Sequence, residues 1–413
     1  MTAHATTLLV TGARVLTPAG EWPRGWIAVG GGRIAATGQG KPPERRRAGA
    51  DVLDASGLVA LPGFVDLHVH GGVGVDVLDA DPDGLRRMAR FFARHGVTAW
   101  LPTTMTASAR DLERALEAVA EVLGPVERGA TVLGAHLEGP YLSQARHGAQ
   151  DPALIRVAER AEATRLLDTG IVRLLALAPE VEGNRWLVAE AVERGVTVSA
   201  GHTDATYDQA VQAVADGVRH VTHAFNAMRP LRHREPGMLG AALTLPELVC
   251  ELVADNVHVH PAIMRLLLQA KGPGGVVLVT DAVRATGLPD GAYQVGDRPA
   301  IHMDGAIRLA DGTLAGSVLT LDRALHNLQA ATGRPLAELW ATTSRNAARA
   351  IGVDGAKGSL EAGKDADLVL LDHDLGVVAT VAEGVLVHGG GDRLRRAAPT
   401  RPATHSGRAP PRS

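Results

Sequence analysis

The stretch "PGFVDLHVHGG", Pro62 to Gly72, ends an apolar run in two histidines one residue apart. Side chains of an extended strand alternate between faces, so His68 and His70 point the same way with Asp66 behind them, while Leu67 and Val69 face the other side. Two imidazoles on one face at the end of a buried strand can hold a metal. Two half-buried histidines bonded to carbonyls would read the same, and the pair alone does not choose. Four further apolar runs do: "TVLGAHLEG" carries Glu138, "GVTVSAGH" His202, "VRHVTHAFN" His223 and "GVVLVTDA" Asp281. Neutral imidazoles and carboxylates suit zinc and similar divalent ions. A carboxylate can also bridge two ions, which one imidazole cannot. Glu138 is therefore expected as the central ligand, with His202 and His223 completing one site and His68, His70 and Asp281 framing a second. One or two ions are expected, zinc by default, with iron, manganese or another divalent ion also suited to the set. Asp66, His136, Asp204 and His220 read as supporting residues.

Those side chains need a scaffold that brings five strand ends to one place. From Gly63 onward, short apolar runs alternate with helical stretches, the pattern of βα units and a parallel sheet. Eight strands are counted: "GFVDLHVH", "VTAWLPT", "TVLGAHLEG", "VRLLALAPE", "GVTVSAGH", "VRHVTHAFN", "LVCELVAD" and "GVVLVTDA". Helices fill the gaps; in "ARDLERALEAVAEVLG", Leu112, Ala115, Leu116, Val119, Val122 and Leu123 share one face. The expected fold is an α/β (β/α)8 TIM-like barrel, whose active sites gather at the carboxyl ends of the strands. A doubly wound open sheet is the alternative.

The first sixty residues read instead as short β segments between glycine turns, and "DADLVLLD" and "GVLVHGG" have the same character. Both chain ends are expected to meet in one small β-sandwich. The boundaries read as 1–60 for its first part, 61–358 for the barrel, 359–390 for its second part and 391–413 for a disordered Arg/Pro-rich tail. The stretch "AYQVGDRPAIHMDGAIRLADGTLAGS" reads as a β excursion after the eighth strand, ending in a functional loop.

Composition narrows the function class. A net charge of −3 and no basic stripe give no electrostatic case for nucleic acid. No apolar run is long enough to span a bilayer, and the N-terminus lacks the build of a signal peptide. One cysteine, Cys250, excludes a disulfide framework and suits a reducing cytoplasm. No lysine occurs between Lys41 and Lys271.

The chain resembles the amidohydrolase superfamily and, within it, the N-acetylglucosamine-6-phosphate deacetylases. The stretches that carry the resemblance are "PGFVDLHVHG", "HLEGPYLSQARHGAQ", "AGHTDATYDQA", "THAFNAMRPLRHREPG", "DNVHVHP", "VTDAVRATGLPDG", "LAGSVLTLDRA" and "GSLEAGKDADLVLLD". They run in family order over nearly the whole chain apart from the tail. The resemblance implies a metal-dependent barrel beside a small β-sandwich, assembled as a homodimer. It assigns Glu138, His202 and His223 to the principal metal and Asp281 to proton transfer. It places Asn226, Ala227, Arg234, the "DNVH" segment of Asp255, Asn256, Val257 and His258, and Leu314, Ala315 and Gly316 against a sugar phosphate. Arg234 is implied to reach the neighbouring subunit's site. Ala149 and Gln150 fall where many relatives place a sugar-binding histidine, and Gln150 could serve there as donor and acceptor. Many superfamily members bridge their metals with a modified lysine at the end of strand four. Here that strand ends "LALAPE" in a lysine-free region, which favours Glu138 as the bridge.

The reaction implied is hydrolysis of an N-acetyl amide. A divalent ion lowers the pKa of water to about 7. Asp281 would take the proton and deliver it to the leaving nitrogen. N-acetylgalactosamine 6-phosphate is an alternative substrate, and a non-catalytic barrel kept for assembly is an alternative of another class.

Overall fold

The structure, a computed structural model, describes residues 6–396. Eight parallel strands follow in the expected order: Phe64–Val69, Val97–Thr104, Ala135–Glu138, Val172–Leu177, Thr197–Ala200, His220–Val221, Val249–Val253 and Val276–Val279. Each pairs in parallel with the next. The eighth returns to the first through a parallel bridge of Val69 to Ala282, where Asp281 N donates to the His68 carbonyl at 2.9 Å. The ring of eight is a TIM-like barrel, and the open-sheet alternative falls away. All six residues of the first strand are buried, as a strand covered on both faces requires.

A helix follows every strand: Pro82–Ala93, Ala109–Glu121, Arg160–Asp168, Arg185–Glu193, Tyr207–Asp216, Gly237–Thr244, Pro261–Lys271 and Leu321–Thr332. Local chemistry sets several starts. Ser108 accepts from Asp111 N, and Thr206 with Gln209 forms a capping box. Leu112, Ala115, Leu116, Val119 and Val122 are buried as expected. Leu123 is not. The helix stops at Glu121, the helical period lapses there, and Leu123 is 47% exposed.

Both chain ends build one nine-stranded sheet. The strand Leu8–Thr17 pairs with Gly20–Gly30 on one side; on the other, its first half pairs with Asp51–Asp54 and its second with Val59–Pro62. Val59–Pro62 in turn pairs antiparallel with Leu368–Leu371 from the far end of the chain. Val10, Ile27, Leu53, Leu370 and Val381 share one core beneath this sheet. Ordered chain runs past the expected limit at residue 390: Leu394 and Arg395 pair with Leu53 and Val52, because the sheet edge at Asp51–Asp54 offers unpaired backbone. The rest of the expected tail, 397–413, lies outside the described residues.

The β unit sits at the amino ends of the barrel strands. Gly63 N donates to the Asp367 carbonyl just before the first strand, and Thr131 Oγ1 donates to Glu383 just before the third. Lys357 is buried at this junction, 3.0 Å from Asp365, 2.9 Å from Asp367 and 3.3 Å from Glu383. At the opposite, carboxyl end of the barrel, the excursion forms an antiparallel sheet of Gly291–Val295, Arg298–Met303 and Ala306–Leu309. Among the described residues, no helix is long and apolar enough to cross a membrane.

Candidate metal centre

Two groups of side chains meet at the carboxyl ends of the strands, His68 with His70 and Asp281, and Glu138 with His202 and His223. Within each group the ligand atoms lie within 4.8 Å of one another. Glu138 joins them: its Oε1 is 3.1 Å from His223 Nε2 and 3.4 Å from His202 Nε2, while its Oε2 is 3.3 Å from His70 Nε2. Asp281 Oδ1 lies 3.3 Å from His70 Nε2 and 3.6 Å from His68 Nε2. All six residues are buried.

The backbone makes this convergence possible. His202, His223 and Asp281, at the ends of strands five, six and eight, have φ of 46°, 29° and 51°. Left-handed backbone at a non-glycine residue costs roughly 1–3 kcal/mol and persists where the surroundings enforce it. Here it breaks the alternation of extended strand where each chain must leave the barrel. Behind the first group, Asp66 accepts from Thr280 Oγ1 at 2.7 Å and from Thr280 N at 3.2 Å, tying strand one to strand eight. Burial pushes the Asp66 carboxyl up to about 7.

The donor chemistry fits divalent ions. His68 Nδ1 faces Glu251 Oε2 at 3.0 Å, His70 Nδ1 faces the Thr103 carbonyl at 3.2 Å, and His202 Nδ1 faces the Arg146 carbonyl at 2.9 Å. Those partners can only accept, so each Nδ1 carries a proton and each Nε2 is turned inward, where it can present a lone pair to a metal ion. His68 and His70 then oppose lone pairs across 3.0 Å. That contact is repulsive unless a cation sits beside both. Tetrahedral coordination at ~2.0–2.1 Å separates ligand atoms by about 3.3–3.4 Å, close to the spacings found here. Electrostatics agrees. Burial alone would lower the His70 imidazole, but Asp281 and Glu138 overcome it and raise it to about 9, so without an ion the carboxylates draw a proton to the place a cation would fill. Burial would likewise raise Glu138, yet His68 and His202 hold it well below the ordinary carboxylate range. His136, pushed down to about 3 by burial, is neutral and packs edge-on against His68.

The other expected site residues divide. Gly148 and Ala227 close over His202: a Cβ on Gly148 would meet the His202 ring at 3.2 Å and Ala227 at 3.4 Å. Asn226 is half-buried, its amide donating to the His223 and Ala224 carbonyls. Gly316 lies against Asp281, and the neighbouring Ser317 N donates to the Asp281 carbonyl at 2.7 Å. Leu314 is half-buried and Ala315 fully buried, with the Ala315 N–H given to the Ile307 carbonyl. His258 Nδ1 is held by Asp255 at 2.6 Å, and the backbone N–H groups of Val257 and His258 also donate to Asp255; Asn256 and Val257 are exposed. Ala149 gives its carbonyl to Arg298. Arg234 is exposed, has no ion pair among the described residues, and does not join the centre of its own chain.

Gln150, expected at the sugar, is engaged within the protein on the side of the centre. Its Oε1 accepts from Thr106 N at 2.7 Å and its Nε2 donates to Glu138 Oε2 at 2.6 Å. With both ends of the amide engaged and the residue buried, Gln150 supports Glu138. Glu251, on strand seven, went unnoticed in the sequence. It bonds His68, His220 Nε2 at 3.1 Å and His223 N at 3.0 Å. Its signal was present: it is the sole charge in the run Val249–Val253.

Known proteins fit this geometry. The sequence profile of the amidohydrolase family matches residues 59–387. The chain is 42% identical over 338 residues to the N-acetylgalactosamine-6-phosphate deacetylase of Escherichia coli O157:H7, covering 81% of this chain and 89% of that protein. It is 34% identical over 385 residues to the N-acetylglucosamine-6-phosphate deacetylase of Bacillus subtilis (strain 168), covering 92% of this chain and 97% of that one. A solved structure of a variant N-acetyl-D-glucosamine-6-phosphate deacetylase from Mycobacterium smegmatis, in complex with N-acetyl-D-glucosamine-6-phosphate, superposes with a TM-score of 0.86 at 37% identity, over 92% of this chain and 99% of that one. With its barrel, its paired histidine–carboxylate groups and these relatives, the chain belongs to the amidohydrolase family.

Proposed function

We propose that this enzyme hydrolyses the N-acetyl group of N-acetyl-D-glucosamine 6-phosphate, giving D-glucosamine 6-phosphate and acetate. One observation carries the hydrolytic reading: Glu138 lies between two histidine sets with Asp281 beside them at the barrel mouth. The choice of substrate rests on the relatives, several of which are N-acetylglucosamine-6-phosphate deacetylases. Glu138, His202 and His223 would hold the principal ion, zinc in our reading, and His68, His70 and Asp281 a second, with Glu138 as the bridge. When bound, the ions supply Lewis acidity toward the amide carbonyl and a water whose pKa is lowered to about 7. Asp281 then takes a proton from the attacking water and returns it to the amide nitrogen as the C–N bond breaks. Gln150 and Glu251 keep Glu138 and His68 in place while this happens.

The phosphate would be held by Arg234 and His258 through charge-assisted hydrogen bonds. The exposure of Arg234 away from its own centre supports a homodimer in which it serves the neighbouring site; sedimentation as a monomer at assay concentration would remove that part. We place the enzyme in the cytoplasm, in amino-sugar breakdown and recycling.

The test is acetate release by metal-replete protein from N-acetylglucosamine 6-phosphate, beside the unphosphorylated sugar and the galacto epimer. Strong preference for the first is expected. The 42% identity to an N-acetylgalactosamine-6-phosphate deacetylase makes the epimer the second reading, which preference for that sugar would establish. No acetate from any of the three, with metal bound, would overturn both.

A further inference from the structure

Glu251 is a fully buried carboxylate that no step above uses as acid, base or ligand. Burial of an anion without compensation is strongly unfavourable, so its partners show what it is held for. Oε2 accepts from His68 Nδ1 and from the backbone N–H of His223, both at 3.0 Å, and Oε1 faces His220 Nε2 at 3.1 Å. Burial would raise this carboxyl, yet His68 and His220 hold it well below the ordinary range. The three contacts are unequal in what they control. At His68, Glu251 touches the ring itself, fixes its tautomer, aims Nε2 inward and makes the imidazole more basic. At His223 it touches the peptide only. The His223 ring has no partner at Nδ1 and reaches the centre through Nε2 alone.

We propose that Glu251 is a positioning residue that makes the centre bind two ions rather than one, by sustaining the His68–His70–Asp281 group selectively. This rests on the two-ion reading given above. The same carboxylate also accepts from the His223 backbone N–H, but it does not touch the His223 ring. Its selectivity follows from geometry: the His68–His70–Asp281 group loses the orientation of a ligand ring without it, whereas the other group keeps Glu138 and His202 untouched.

The test uses Glu251→Gln, which keeps the shape. The amide oxygen, in the place of Oε2, can still accept from both His68 and His223, and His220 can move its proton to Nδ1 and accept from the new amide, so the variant removes the charge behind His68. Metal-free wild type and variant are titrated with Co2+, following uptake by elemental analysis and by the visible spectrum, with thermal melting of each metal-free form alongside. Wild type should take up two ions. In the variant one affinity should stay within about threefold, and the other should fall about 10- to 100-fold, the range for mutation of a partner behind a ligating histidine, here through loss of the carboxylate charge that makes His68 more basic. A Glu251→Ala variant should lose the weaker ion altogether; if it fails to fold, the glutamine variant still carries the test. Two ions bound by Glu251→Gln with unchanged affinities, or an equal loss at both sites, would overturn the role of Glu251 and leave the two-ion centre standing. Wild type that takes up fewer than two ions would remove that centre, and this proposal with it.

Discussion

Asp281, like Glu138, lies beside both His68 and His70, and its own backbone closes the barrel through the His68 carbonyl. Burial would raise it, but His68 and His70 hold it below the ordinary range, so it starts as the anion that a proton acceptor must be. Asp281→Asn keeps the shape and cannot take that proton. The principal ion should stay bound while kcat falls by at least ~100-fold, the usual worth of a positioned acid–base group. Metal analysis beside steady-state kinetics checks this, and near-normal kcat would remove Asp281 from proton transfer. The six residues of the two groups were legible in the sequence because each closes or follows an apolar run, where a polar side chain has no packing reason to be. The roles of Glu251 and Gln150 were not. Glu251 sits within its run rather than at the end, and Gln150 lies in a loop, where nothing in the sequence says which way an amide turns.

At the scale of elements, the mouth depends on backbone that only certain residues can follow. The loop through Gly316 crosses the end of strand eight at φ +66°, and a Cβ there would meet Val283 Cγ1 at 2.4 Å and the Asp281 carbonyl at 2.9 Å. A backbone atom cannot yield as a side-chain end can. Gly316→Ala is expected to lower stability by about 1–3 kcal/mol from strain and overpacking, and to lower kcat by displacing Asp281. Denaturant unfolding with paired kinetics checks it; unchanged values would mean the loop shifts freely. The strands and helices themselves were legible from their periods, since the parallel sheet demands apolar runs and the outer helices demand one apolar face. What the periods could not supply was the left-handed step at His202, His223 and Asp281, because no glycine marks it. Nor could they supply the point where a helix frays, which left Leu123 on the wrong side.

At the base of the molecule, where the barrel meets the β unit, one buried ammonium sits among three carboxylates. Lys357→Met leaves Asp365, Asp367 and Glu383 without their cation, and Asp367 is fully enclosed. Breaking such a pair costs about 3–5 kcal/mol, measurable by denaturant unfolding. The sign of the pH effect follows. Burial opposes the charge on Lys357, but Asp367, Asp365 and Glu383 raise it above the free-lysine value of about 10.4. The stabilisation is therefore complete below that pH and is lost as pH rises through the higher folded value. The chain has only four lysines, Lys41, Lys271, Lys357 and Lys364. Lys357 lies at the junction, Lys364 lies in the turn that follows and reaches the Lys357 carbonyl, Lys41 lies on the β unit, and Lys271 reaches the Leu245 carbonyl before strand seven. Every lysine thus stands on the β unit, at its junction with the barrel, or just before the amino end of a barrel strand. A support or fluorophore coupled through lysine amines grips this enzyme by its base and leaves the entrance to the metal centre facing solution.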